Sequence, residues 1–177
     1  MIPFPNKKYQ IIYADPPWSY NDKMIGHGGA ESEYQTQDIN WIKSLPIQSI
    51  CADDCVLFLW VVSPLLQEGI ETVKAWGFDY VTLAFCWVKE TPLMFKQVKN
   101  LGRWTMGGVE IVLLGRKGHP KRIKNNIMQV CFDVRTGHSK KPMEIRHRIT
   151  DLMGNLPRIE LFARQKTLGW DAWGNEV

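Results

Sequence analysis

The sequence predicts an α/β fold, a largely parallel sheet with helices on both faces, and three observations carry that reading. The apolar run Tyr9-Gln10-Ile11-Ile12-Tyr13-Ala14 stops at Asp15-Pro16-Pro17-Trp18. A β-rich run cut off by a carboxylate and two prolines reads as a buried strand ending in a rigid turn, because proline fixes φ and cannot donate to a ladder. Residues Cys55 to Val62 are apolar throughout, the mark of a parallel strand covered on both faces. A helical stripe and a further strand follow, and two βα units in succession argue for a three-layer sheet.

The elements follow in order from that start. After the first strand, Ser19 to Tyr34 carries Gly26-His27-Gly28-Gly29 in its middle and is a candidate gate over the turn, with Asn21, His27 and Tyr34 in reach of it. A solvated loop histidine outweighs a general base as the reading of His27. Asp38 to Leu45 predicts a short helix opened by Thr36 or Asp38 and stopped before Pro46. Beyond the strand Cys55–Val62, Ser63-Pro64 supplies an N-cap and a first-turn proline, and Leu66, Ile70 and Val73 form a helical stripe ending near Gly77. Tyr80 to Val88 is strand again.

Lys89 to Gly108 is a long, basic, partly aromatic segment, in which Trp104 either stacks on a base or plugs the loop against the core. The strand Val109–Leu114 follows, with the acid Glu110 at its start, and Met128–Phe132 reads as a short strand before a loop from Asp133 to Lys140. Pro142 opens a helix whose Ile145, Ile149, Leu152 and Met153 mark the buried face, while Arg146 and Arg148 point elsewhere. Lys141 precedes that helix, where an ammonium can meet an anionic ligand with help from the helix's positive end; its neighbour Lys140 is expected to be merely solvated. The last strand is Arg158–Ala163. Glu160 on it would be costly to bury alone, so it is expected to accept hydrogen bonds or to pair with a base such as Arg164.

At 177 residues, with 45% hydrophobic and 23% charged side chains, the chain fits a single soluble domain spanning 1–177. No apolar run approaches a membrane span and residues 1–8 lack a signal peptide's apolar region, so a cytoplasmic protein is expected. Cys51, Cys55, Cys86 and Cys131 read as reduced thiols, and the Cys51–Cys55 spacing, with no histidine pair nearby, argues against structural zinc; no metal is expected. The net charge of +4 is mild, but three basic clusters stand out: Arg116 to Lys124; Lys89, Lys96, Lys99 and Arg103; and Lys140, Lys141, Arg146, His147 and Arg148. Each alone is as readily a solvated surface; together they favour a rim that contacts phosphates. Dinucleotide, nucleophile-elbow, zinc-protease and phosphate-loop motifs are absent.

The turn itself carries the chemistry. Asp15 can accept hydrogen bonds from an amine, the Pro16 carbonyl offers a second acceptor whose direction Pro17 fixes, and Trp18 adds a flat apolar face. Two acceptors and an aromatic plate suit a planar base with an exocyclic amine, adenine above all. Asp-Pro-Pro alone is commonly just a turn; with the tryptophan, the tetrapeptide is a chance event at roughly one position in a million.

On Asp15-Pro16-Pro17-Trp18, Leu57-Phe58-Leu59-Trp60-Val61, Trp87-Val88-Lys89, Lys141-Pro142, Ile159-Glu160-Leu161-Phe162-Ala163-Arg164 and Trp173-Gly174-Asn175, in that order, the chain resembles the MT-A70-type S-adenosylmethionine-dependent adenine-N6 methyltransferases. The resemblance spans nearly the whole chain. It implies a Rossmann-like class I methyltransferase domain in permuted order, with the catalytic turn first and the cofactor half last. It makes Asp15, Pro16, Pro17 and Trp18 catalytic. It sets Glu110 in the adenine pocket, where the residue alone reads equally as a solvent-facing strand-end carboxylate; Tyr34, by its reach to the turn, and Trp104, as a face for a base, join it as candidate substrate-binding residues. Asp15, Lys141, Glu160, Arg164, Asn175 and Glu176 become the S-adenosylmethionine-binding set, Lys141 at the methionyl carboxylate and Arg164 and Asn175 at the ribose; Glu176 stands where the family often has glutamine. Enzymes of this family usually have a strand or turn ahead of the catalytic strand that contacts the cofactor's adenine. Here either Pro3 to Asn6 folds back over that pocket, or affinity awaits closure by a partner or substrate.

The implied activity is direct methyl transfer to adenine in DNA, in the cytoplasm of a bacterium or of a phage's host cell. The substrate is nucleic acid, DNA ahead of RNA. A homodimer or partner subunit would assemble through the 90–108 loop. Two other classes stay open, a non-catalytic nucleic-acid-binding partner subunit and a methyltransferase for protein amides or amines; a transfer assay on nucleic acid against protein separates them.

Overall fold

Tyr9–Ala14 forms the strand β1, with the bounds its apolar run predicts, and lies inside a seven-stranded sheet. The computed structural model describes residues 2–19, 37–92, 95–102, 104–134 and 140–177. The other strands are β2 (Cys51–Val61), β3 (Asp79–Glu90), β4 (Val109–Lys117), β5 (Val130–Val134), β6 (Arg158–Leu161) and β7 (Asp171–Trp173), in the spatial order β5-β3-β4-β2-β1-β6-β7. β4 runs antiparallel to both its neighbours, β2 and β3, and every other pair is parallel. One edge of the sheet therefore collects the carboxyl ends of six strands and the amino end of β4.

The middle strands are continuously apolar over Ile11–Ala14 and Cys55–Val61 because both faces are covered there. Ile12 and Ala14 of β1 belong to one core with Ile42, Val73 and Trp76 of the helical side, whereas Ile11 and Tyr13 belong to a second core with Ile145, Ile149 and Met153. The helices α1 (Ile39–Ser44) and α2 (Leu66–Ala75) thus cover one face and α3 (Met143–Met153) the other. Asp38 caps α1 by accepting from the backbone of Asn40 and Trp41. Trp76 Nε1 ties α2 to α1 through the carbonyl of Ile42 at 2.8 Å.

Several expectations are corrected. β2 starts at Cys51 rather than Cys55, because pairing resumes at Tyr9↔Cys51 across a register shift. Ser63 makes no side-chain cap; residues 63–65 form a 3-10 turn ahead of α2. Leu66 is exposed, and the face α2 buries is Gly69, Thr72 and Val73. Gly69 permits that contact, since a Cβ there would lie 2.5 Å from Val61 Cγ2. β5 begins two residues late, leaving Met128 exposed. Arg146, expected to point away from the core, is buried at 7% exposure. β6 stops at Leu161 because Phe162 turns left-handed at φ 61°, and β7 is a strand the sequence did not suggest.

Candidate active site

β1 delivers Asp15 to the collecting edge. Ala14 lies level with Leu59 of β2 on one side and Leu161 of β6 on the other, so the chain leaves the sheet at Asp15 between Trp60 and Phe162. The turn is held from several directions: Trp18 N–H donates to the Pro16 carbonyl at 2.9 Å, Gln37 N–H to the Pro17 carbonyl at 2.9 Å, and Trp18 Nε1 to the Trp60 carbonyl at 2.9 Å. A cleft of about 400 Å³ opens there, lined by the whole Asp15–Trp18 turn, by Trp60, Glu110 and Lys141, and by Arg164, Asn175 and Glu176. That volume lies in the range of small-molecule sites.

Charge inside the cleft is arranged as an alternating chain. Lys141 Nζ donates to Asp15 Oδ2 at 2.7 Å and stands 3.2 Å from Glu110 Oε2, while Lys89 Nζ donates to Glu110 Oε1 at 2.5 Å. The Lys141 side chain is 7% exposed and lies 5.3 Å from the centre of the Trp60 ring, a cation–π distance. Burial pushes the Asp15 carboxyl up, and the Lys141 ammonium beside it only partly reverses this, so Asp15 titrates above the ordinary aspartate range. Burial works against the Lys141 ammonium too, but the Asp15 and Glu110 carboxylates overcome it and raise its pKa. For Glu110, burial is likewise outweighed, here by Lys141 and Lys89, and its carboxyl titrates below the usual range. The reversed direction of β4 makes this possible, because it brings the beginning of that strand, Glu110, level with Trp87 near the end of β3.

The opposite wall comes from the end of the chain. Phe162 turns the chain out of β6, Ala163 N–H donates to the Trp173 carbonyl at 3.0 Å, and Gly174 passes so close that a Cβ would stand 2.4 Å from the Ala163 carbonyl oxygen. Arg164 and Glu176 are thereby set side by side, Nε to Oε1 at 3.6 Å, with Asn175 next to them. Phe162 and Trp173 meet edge to face at 5.4 Å and give the wall an apolar part. Phe4 stacks on the back of this wall at Trp173, 4.4 Å between ring centres, but none of residues 3–6 lines the cleft.

The structure brings together Asp15, Pro16, Pro17, Trp18, Glu110, Lys141, Arg164, Asn175 and Glu176. It separates others. Glu160 is buried away from the cleft lining, and its partner is Arg146 rather than Arg164: Arg146 Nε donates to Oε2 at 2.8 Å and Nη2 to Oε1. Trp104 is 95% exposed and does not plug the loop against the core. Tyr34, with Asn21 and His27, lies outside the described residues. Lys140 is exposed, as expected, beside Lys141, whose side chain alone is buried.

The basic clusters do not form one rim. Arg116 to Lys124 leave from the far end of β4, at the sheet edge opposite the cleft, where Lys117 pairs in register with Cys55 and Arg116 with Asp79. In the third cluster Lys141 and Arg146 are bound to internal carboxylates, and Arg148 donates to Glu144 and to the carbonyls of Met128 and Val130. Sequence reasoning missed Trp60 as a cleft residue and Lys89 as the second partner of Glu110; the available signal was a lysine and a tryptophan at the carboxyl ends of two apolar strands.

Residues 9–176 match the MT-A70 family. The chain is 38% identical over 192 aligned residues to the Type II methyltransferase M.MunI of Mycoplasma sp, an alignment covering 98% of this chain and 79% of that protein. It is 30% identical over 175 residues to the human N(6)-adenosine-methyltransferase catalytic subunit METTL3, covering 96% of this chain and 28% of the relative. For the N(6)-adenosine-methyltransferase MT-A70-like protein of Drosophila melanogaster the figures are 29% identity, 96% and 27%. The chain thus spans most of the first relative and about a quarter of the other two.

Proposed function

Because the chain belongs to the MT-A70 family and is a methyltransferase, we propose that it moves the methyl group of S-adenosylmethionine to the exocyclic N6 amine of adenine in DNA. The observation that carries the reading is Asp15, a carboxylate at the carboxyl end of β1, set in the cleft with Lys141 2.7 Å away. DNA comes ahead of RNA because the chain covers 79% of M.MunI but only 28% of human METTL3.

The donor set fits the methyl donor. Lys141 offers a buried cation for a carboxylate, Arg164, Asn175 and Glu176 offer polar partners for ribose hydroxyls, and Phe162 and Trp173 offer apolar faces for a purine. When bound, S-adenosylmethionine supplies an electrophilic methyl group and its leaving group. The chain's own residues act on the adenine. A carboxylate has about four acceptor sites, and Lys141 takes one on Asp15, so the carboxylate retains capacity for an amine hydrogen. The Pro16 carbonyl, already accepting from Trp18, has a second lone pair for the other hydrogen. Drawing on both N–H groups favours a pyramidal nitrogen whose lone pair leaves the ring system. Trp18, locked by its bond to the Trp60 carbonyl, fixes the turn that aims both acceptors. Such positioning can account for about 7–11 kcal/mol of a barrier.

The test is transfer of radiolabelled methyl from S-adenosylmethionine to unmethylated DNA and to RNA, with Asp15→Asn beside the wild type. The variant is expected to lose at least ~100-fold in kcat, comparable to a missing general base or oxyanion donor. Near-normal turnover by the variant overturns the reading, and label in RNA alone overturns the choice of DNA.

A further inference from the structure

β3 and β4 are joined beyond the cleft by a loop that takes no part in the methyl transfer described above. Residues 91–108 include Lys96, Lys99 and Arg103 and no Asp or Glu. The loop is built rather than loose at its base: Lys89 N–H donates to the Gly108 carbonyl at 2.9 Å, Val98 N–H to the Lys89 carbonyl at 2.7 Å, and Asn100 and Gly107 exchange two bonds of 2.8 Å. Beyond that clamp the chain turns tightly enough that a Cβ on Gly102 would stand 2.3 Å from the Thr105 carbonyl oxygen. Large apolar side chains crown it in solvent, Trp104 at 95% exposure, Leu101 at 80% and Met106 at 56%. Water-exposed apolar crowding of this kind marks a contact surface.

Its position narrows the occupant. The loop leaves from the edge that holds Asp15, and Lys89 at its base is itself part of the cleft's charge chain. Trp104 stands six positions before Glu110, at most about 20 Å of extended chain. An acid-free basic stem with an aromatic tip complements a polyanion that exposes flat apolar faces once a base is displaced. An adenine inside a duplex cannot reach Asp15 without leaving the stack.

We propose that the 91–108 loop is a duplex-opening wedge, in which Lys96 and Lys99 seat on phosphates and Trp104 enters the stack where the target adenine has left. The proposal rests on the reading of the cleft as a DNA adenine site. Trp104 acts as a positioning residue, holding the extruded state rather than touching the reacting atoms.

The experiment begins by locating the adenines that the wild-type enzyme methylates in unmethylated genomic DNA. Oligonucleotide duplexes are then made with the target adenine opposite thymine or opposite an abasic site, which removes the pairing to be broken. On the paired duplex Trp104→Ala is expected to lose between about 5- and 150-fold in kcat/KM, the worth of one aromatic–base stack, and Trp104→Phe to keep most of it. On the abasic duplex Trp104→Ala is expected to match the wild type. Equal losses on both duplexes, or no loss on either, overturn the wedge. So does a wild-type dimer that Trp104→Ala converts to monomer in sedimentation, since the tip would then be a subunit contact. A wild-type enzyme that methylates no DNA instead removes the reading of the cleft, a distinct result. Unchanged thermal melting of both variants confirms that the fold is intact.

Discussion

Replacing Lys141 with methionine removes the ammonium that stands 2.7 Å from Asp15 and 3.2 Å from Glu110, at little change in volume. Breaking a buried ion pair by deleting one partner costs about 3–5 kcal/mol. The loss falls mainly on Asp15, because Glu110 keeps Lys89 at 2.5 Å. Protonation of Asp15 relieves that loss, so its carboxyl titrates higher in the variant than in the wild type. Asp15 is 25% exposed and water reaches part of its carboxylate, which puts the loss at the lower end, about 3 kcal/mol. The sign follows from the active form. Ionised Asp15 accepts the amine hydrogens, so activity is present above its pKa and disappears as pH falls through it. In the wild type, burial already sets that limb above the ordinary aspartate range. The assay is the pH profile of kcat with both substrates saturating, which reports groups in the loaded complex. Lys141→Met should move the acid limb to higher pH than in the wild type and regain rate at alkaline pH. An unmoved limb accompanied only by a higher KM for S-adenosylmethionine would refute the electrostatic role and leave Lys141 as a cofactor anchor.

Further changes probe what surrounds the cleft. Glu160→Gln strips the buried Arg146 guanidinium of its carboxylate and should lower the unfolding free energy by about 3–5 kcal/mol and Tm by roughly 6–20 °C, read by urea and thermal melts. Adding Arg146→Met to Glu160→Leu should restore most of that; a loss below about 1 kcal/mol for Glu160→Gln would mean the pair is not buried in solution. The triple change Arg116→Gln, Lys121→Gln and Arg122→Gln, at the edge opposite the cleft, should leave the salt dependence of DNA binding unchanged. Lys96→Gln with Lys99→Gln should reduce its slope by about 2, near 0.9 for each phosphate left without its lysine.

Much of this arrangement is legible locally. The strand β1 declares itself because both its faces are buried, and the turn that follows announces its chemistry in four residues. Direction is what local reading cannot supply. Glu110 is at the beginning of an apolar strand, and only the reversal of β4 between β2 and β3 turns that beginning toward Asp15. The same reversal carries Arg116 to Lys124 away from the site, so a basic run that looked like a phosphate rim is not one. Arg146 sits beside the apolar stripe of α3, and its burial depends on Glu160 arriving from β6 and on the Tyr13 ring 5.1 Å away, neither of which spacing within the helix reveals. β7 is three residues long, too short to leave a periodic signal.

The double bond pair between Asn100 and Gly107 also has a consequence for engineering. It closes the stem of the loop, so extra residues placed beyond it need not disturb the level pairing of Trp87 with Glu110. Closing a loop of twice the length adds only about 0.6 kcal/mol of entropy cost. The tip is therefore a natural graft point: a sequence-reading peptide inserted at 101–106 would be carried to the nucleic acid beside the catalytic turn, while Asp15, Lys141 and Glu110 kept their spacing.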